Sequence, residues 1–147
     1  MGQVWVDADA APRPCKQILH RAAQRRPITV TLVANQWMQV GAPMRFVQVP
    51  GGPDVADDYI AERCGEGDLV VTADIPLAAR AVANGSLVIT PRGRHLDEDN
   101  VREALSIRDF KDGLREVGVE TGGPAPYDER VKQRFANALD RWITAHG

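Results

Sequence analysis

Val4-Trp5-Val6-Asp7-Ala8-Asp9-Ala10-Ala11-Pro12 sets three strand-forming residues against two carboxylates, then small residues and a proline. An extended backbone turns alternate side chains to one face, so Asp7 and Asp9 point the same way if the strand continues through them. Nothing cationic lies between them. Two carboxylates aimed together from the end of a buried strand repel each other, and a hard divalent cation with oxygen ligands is the usual compensation. Pro12 and Pro14 then open a helix, where proline suits the first turn because no amide donor is needed there. Cys15, Ile18, Leu19, Ala22 and Ala23 share one face of that helix, which Arg25-Arg26-Pro27 ends.

Further along, Ile28 to Val33 is almost continuously apolar and β-branched, as a central parallel strand should be. A loop from Asn35 to Pro43, carrying Trp37 and Met38, leads to a third strand at Phe46–Val49. Asp54 is placed to cap a helix from about Val55 to Cys64, with Asp57 in the capping-box position. Leu69–Thr72 forms a fourth strand and runs into Asp74 and a helix that Asn84-Gly85 closes. Leu87–Ile89 is a fifth strand, followed by Pro91-Arg92-Gly93-Arg94. A long helix is expected from Asp97 or Asp99 to Glu116. A glycine- and proline-rich connection at 118–126 then precedes a last helix with Val131, Phe135, Leu139, Trp142 and Ile143 as its apolar stripe.

Strands alternating with helices of this length predict βαβ units: a three-layer α/β/α domain spanning 1–147 with a mostly parallel five-stranded sheet. Right-handed crossovers gather the loops after the strands along one edge, where open sheets bind ligands at the reversal of strand order. The chain has 147 residues, 44% apolar and 26% charged, with a net charge of −2. That balance offers no global footprint for nucleic acid, so any phosphate-binding charge must be local. Cys15 and Cys64 make neither a disulfide framework nor a metal motif. With no signal-like N-terminus and no membrane-length apolar run, the expectation is a cytoplasmic protein without a membrane partner.

If the first and fourth strands are neighbours, Asp7, Asp9 and Asp74 converge on one ion. Asp57 is the preferred fourth ligand, because Asp58 lies nearly opposite the apolar side of its helix. Mg²⁺ or Mn²⁺ is expected, since no histidine or cysteine cluster favours zinc. Arg92 and Arg94 supply local positive charge for phosphate, with Gly93 allowing close backbone approach, and Lys16 and Arg13 extend a basic rim. Thr72 and Asn35, at strand ends, are candidates to orient a carboxylate or a water.

Several longer motifs occur in order: Val-Asp-Ala-Asp-Ala at 6–10, Val-Ala-Asn at 33–35, Asp-Val-Ala-Asp at 54–57 and Val-Thr-Ala-Asp-Ile-Pro-Leu-Ala-Ala at 71–79. Pro-Arg-Gly at 91–93, Arg-Asp-Phe at 108–110, Thr-Gly-Gly-Pro-Ala-Pro at 121–126 and Phe-Ala-Asn-Ala-Leu-Asp-Arg-Trp at 135–142 follow. Together they resemble the YaiI/YqxD family over nearly the whole chain. The resemblance implies a fold similar to the PIN-like nucleases, which hold Mg²⁺ or Mn²⁺ with acids that fall by position on Asp7, Asp57 and Asp74. Two departures stand out: Ala11 where family members commonly have cysteine, and Pro53 where an aromatic is frequent. The expected activity is metal-dependent phosphodiester hydrolysis, foremost by a ribonuclease acting on single-stranded RNA, with a nucleotide as the other ligand. The rivals are a haloacid-dehalogenase-like phosphatase, which also uses Asp-x-Asp after a first strand, and a non-catalytic domain binding nucleotide, RNA or protein.

Overall fold

The computed structural model describes residues 2–118 and 126–146. The 118–126 connection therefore lies, apart from its ends, outside the described residues, and so do Gly122-Gly123 and most of the 121–126 motif. In chain order the elements are β1 (Gly2–Asp7), α1 (Arg13–Arg25), β2 (Ile28–Ala34), β3 (Arg45–Gln48), α2 (Val55–Arg63), β4 (Leu69–Val71), α3 (Ile75–Ala83), β5 (Leu87–Ile89), β6 (His95–Leu96), α4 (Val101–Glu116) and α5 (Glu129–His146).

The sheet runs β3-β2-β1-β4-β5-β6. All neighbours are parallel except the last pair, in which β6 lies antiparallel to β5. Among the described residues the expected count of five strands is thus corrected to six: β6 is two residues long, too short to show a period in the sequence. From β1 the order runs outward through β2 and β3 on one side and through β4 and β5 on the other. It reverses between β1 and β4, which pair directly from Val4 and Leu69 to Val6 and Val71.

Strand alternation builds the three layers. Val4 and Val6 of β1 face α1 and α5, packing with Val30, Leu32, Cys15, Leu19, Phe135 and Leu139. Trp5 turns the other way, towards α2, α3 and α4, where Val33, Val70 and Val88 meet Ile60, Leu77 and Val101. Its indole donates to Asp68 Oδ2 at 3.1 Å and its ring meets Tyr59 edge-on, the centroids 6.5 Å apart. Phe135 is fully buried, and burial of each such side chain stabilises by about 1.5–3 kcal/mol. Cys15 and Cys64 are both buried, on opposite faces of the sheet, and burial pushes the Cys15 thiol up to about 12.

Two helix starts differ from expectation. Asp54 occupies the N-cap position of α2 but has φ 63°, and its side chain makes no cap bond. Capping side chains reach their amides from an extended backbone, and the Gly51-Gly52-Pro53 turn delivers Asp54 in the left-handed region instead. α4 begins at Val101, because Asp97 folds into a turn: its Oδ1 accepts the amides of Asp99 (2.9 Å) and Asn100 (3.0 Å).

Candidate functional site

Asp7 is the last residue of β1 and shares parity with Trp5, so its side chain leaves the sheet on the α2–α3 side. β4, its neighbour, ends at Val71, and the next residue, Thr72, is 1% exposed. Thr72 Oγ1 donates to Asp7 Oδ2 at 3.1 Å and accepts the Asp74 amide at 3.0 Å. Asp74 caps α3, its Oδ1 accepting from the Leu77 amide at 2.9 Å, with Pro76 in the first turn where no donor is needed. The strand-order reversal therefore brings the Asp7 carboxylate and the Asp74 backbone amide together on one hydroxyl.

The third carboxylate comes from the first turn of α2. Burial raises Asp57 to about 6, reinforced by the negative charges of Asp74, Asp7, Asp54 and Asp58. Asp7 is also raised, first by burial and then by Asp74 and Asp9, while the Thr72 hydrogen bond opposes the rise. Asp7, Asp57 and Asp74 are thus within mutual electrostatic reach. Asp58 points elsewhere: it accepts from Arg80 Nη1 at 2.6 Å in an exposed pair.

Asp9 does not continue the strand. The strand ends at Asp7, Asp9 sits exposed on a bend, and its Oδ2 accepts the Asn35 amide at 2.9 Å. The condition for a shared strand face, a strand running through Asp9, is therefore not met, although Asp9 acts on Asp7 as a charge. Asn35 contributes its backbone: the amide to Asp9 and the carbonyl to Gln48 Nε2, 3.4 Å away.

The basic residues are more dispersed than the carboxylates. Arg92 is half-buried with its guanidinium 6.0 Å from the Tyr127 ring, and the Tyr127 hydroxyl donates to the Pro91 carbonyl at 2.7 Å. Arg94 is exposed beside α4, lining a depression of about 230 Å³ with Ile75, Arg108, Lys111 and Arg115. Lys16 and Arg13 belong to α1, whose layer covers the sheet face away from Asp7. Gly93 has φ +84°, and a Cβ there would lie 2.6 Å from the Arg134 carbonyl carbon. Its freedom serves close packing of this turn on α5. Sequence reasoning assigned nothing to Tyr127; an aromatic directly after the proline that precedes α5 was its only signal.

A donor set of aspartates with a threonine hydroxyl suits a hard cation such as Mg²⁺ or Mn²⁺ in chemistry. Among the described residues no three His, Cys, Asp or Glu side chains are grouped closely enough to hold a metal ion between them, and Asp7, Asp57 and Asp74 interact as charges. Among them, too, no helix is long and apolar enough to cross a membrane.

The family model described as "Uncharacterized BCR, YaiI/YqxD family" matches residues 5–145. The chain belongs to the YaiI/YqxD family. Its relatives include UPF0178 proteins from Saccharophagus degradans, 55% identical over 145 residues (97% of this chain, 95% of that one), and Xanthomonas campestris, 53% identical over 145 residues (97% and 91%). A UPF0178 protein from Proteus mirabilis is 49% identical over 142 residues (95% and 94%). Among solved structures, Rae1 (YacP) from Bacillus subtilis overlays with a TM-score of 0.41 at 14% identity, covering 96% of this chain and 99% of that one. That likeness is too slight to carry an argument, so the YaiI/YqxD assignment rests on sequence.

Proposed function

We propose that this YaiI/YqxD protein is a Mg²⁺- or Mn²⁺-dependent phosphodiesterase, foremost a ribonuclease, with Asp7, Asp57 and Asp74 holding the ion. The observation that supports the reading is that the carboxylates of Asp7, Asp57 and Asp74, from β1, α2 and the start of α3, act on one another as charges, with Asp7 and Asp57 raised first by burial and then by that repulsion. A fold gains nothing from such repulsion by itself, whereas a cation relieves it. The PIN-like character implied by the sequence agrees with those positions.

A bound Mg²⁺ or Mn²⁺ would supply Lewis-acid polarisation of the phosphoryl group and a water acidic enough to attack it. The chain's own residues do the rest. Thr72 fixes the Asp7 carboxylate and ties it to the start of α3. Asp74 keeps its orientation by capping that helix. Arg92, from the loop after β5, grips a phosphate oxygen and stabilises charge in the transition state. Asp9 secures the loop that begins at Asn35. An aspartyl phosphatase needs its second aspartate poised as a general acid beside the first. The bend at Asp9 and its bond to the Asn35 amide favour the phosphodiesterase instead.

The test is Mn²⁺-dependent cleavage of an end-labelled single-stranded RNA by the wild type and by Asp7→Asn. Cleavage is expected to be lost in the variant while its thermal transition stays cooperative. Undiminished cleavage by Asp7→Asn would remove Asp7 from the mechanism. Binding of Mn²⁺ by the wild type without hydrolysis of RNA or DNA would leave a metal-binding domain and no hydrolase.

A further inference from the structure

Helix α1 carries Arg13, Lys16, Arg21 and Arg25 with His20 and no acidic residue, in a chain of net charge −2. Cys15, Leu19 and Ala23 form its buried edge. Arg13, Lys16 and His20 fall on another face, at helical spacing, and border an open depression of about 530 Å³ whose far side is Met38 and Met44. Arg13 and Lys16 thus supply local positive charge in a chain without a net one.

The opposite wall is the loop that follows β2, and it is fastened at both ends. At its start the Asn35 amide is bound to Asp9, two residues beyond the proposed ion-holding Asp7. Towards its end the His20 ring lies 3.0 Å from the Ala42 carbonyl oxygen, and a Cβ on Gly41 would come within 2.9 Å of His20 Nε2. Between the fastenings stands Trp37, 71% exposed. Trp5 is bonded to Asp68 and Trp142 is 5% exposed, so Trp37 alone of the three tryptophans offers its ring to solvent. Its neighbour Met38 faces Arg13 and Lys16 across the depression, and a large apolar ring held out on such a secured loop contributes nothing to the core.

Aromatic faces that take bases, next to cations that take phosphates, are how single-stranded nucleic acids are held without sequence readout. We infer that Trp37 with Arg13 and Lys16 forms a subsite for single-stranded nucleic acid: an unpaired base stacks on the indole and the flanking phosphates lie along α1. The subsite deepens the phosphodiesterase reading and rests on it for its ligand class. The Asp9–Asn35 bond ties its loop to the turn after β1, and the subsite lies on the α1 side, separate from Asp7, Asp57 and Asp74. A duplex keeps its base faces covered, so it cannot use Trp37.

The experiment measures binding of a labelled eight-nucleotide oligouridylate to full-length Asp7→Asn protein without divalent cations, alone and combined with Trp37→Ala or with Arg13→Gln and Lys16→Gln together. Trp37→Ala is expected to weaken binding about tenfold and to abolish quenching of tryptophan emission by the oligonucleotide. The double charge variant is expected to flatten the slope of log affinity against log salt by about 1.4, the contribution of two phosphates on a single strand. Unchanged affinity in Trp37→Ala, or equal binding of duplex RNA or polyglutamate, overturns the subsite. If wild type binds the strand through Trp37 but cleaves nothing with Mn²⁺, the hydrolase fails and the subsite stands. If wild type cleaves and Trp37→Ala keeps the same KM, the subsite fails and the hydrolase stands.

Discussion

Thr72 Oγ1 lies 3.1 Å from Asp7 Oδ2, joining the end of β4 to the end of β1 where the strand order reverses. The same oxygen accepts the Asp74 amide at 3.0 Å, so one buried hydroxyl orders two of the three clustered carboxylate residues. Thr72→Val keeps the shape and removes both bonds. Leaving buried polar groups unpaired costs about 1–3 kcal/mol, and that loss is expected in urea denaturation. The Asp7 carboxyl, deprived of the bond that lowers it, should titrate higher by NMR, and Thr72→Ser should restore both properties. A Thr72→Val protein as stable as wild type would show that the hydroxyl orders nothing.

Asp57 and Asp58 are adjacent yet should behave oppositely. Asp57 is raised from 3.8 to about 6 in the fold, so the folded state takes up a proton before the unfolded state as pH falls. Its unfavourable contribution is therefore fully present above about pH 6 and disappears as pH drops towards 3.8. Without divalent cations, Asp57→Asn is expected to raise the melting temperature at pH 7.5, and the advantage should vanish by pH 4. Asp58→Asn breaks only an exposed pair with Arg80, worth at most about 1 kcal/mol. Melting curves of both variants at the two pH values decide the matter. An advantage for Asp57→Asn that persisted at pH 4 would contradict the assignment.

Gly93 is expected to tolerate no side chain. Its positive φ alone costs a non-glycine residue about 1–3 kcal/mol. The new Cβ would also overlap the Arg134 carbonyl, which is helix backbone and cannot rotate away. Gly93→Ala should therefore lower the midpoint of chemical denaturation markedly. An unchanged midpoint would mean that the turn after β5 does not rest on α5.

Much of the architecture was legible because apolar runs in parallel strands differ from the periodicity of helices. Ile28 to Val33 reads as a strand covered on both faces, and Leu139 with Phe135 and Trp142 as the stripe of a covering helix. The position of Asp7 beside the start of α3 followed from the same pattern, since βαβ handedness sends every strand-to-helix loop to one edge. What stayed hidden depends on local backbone geometry. Nothing in Asp7-Ala8-Asp9 announces that the strand stops at Asp7 and sends Asp9 to the Asn35 amide. Asp54 has the composition of a cap, yet the glycines before it deliver a left-handed backbone that keeps its side chain from the helix amides. Arg92 with Tyr127, and Gly93 with Arg134, join residues far apart in the chain, which periodicity cannot pair.

The most direct measurement is a Mn²⁺ titration, by calorimetry, of the wild type and of Asp7→Asn, Asp57→Asn and Asp58→Asn at pH 7.5. A shared ion predicts saturable binding by the wild type and by Asp58→Asn, and loss of that binding in Asp7→Asn and Asp57→Asn. Mn²⁺ binding of equal strength in all four proteins, or none in the wild type, would contradict a cation held between β1, α2 and α3.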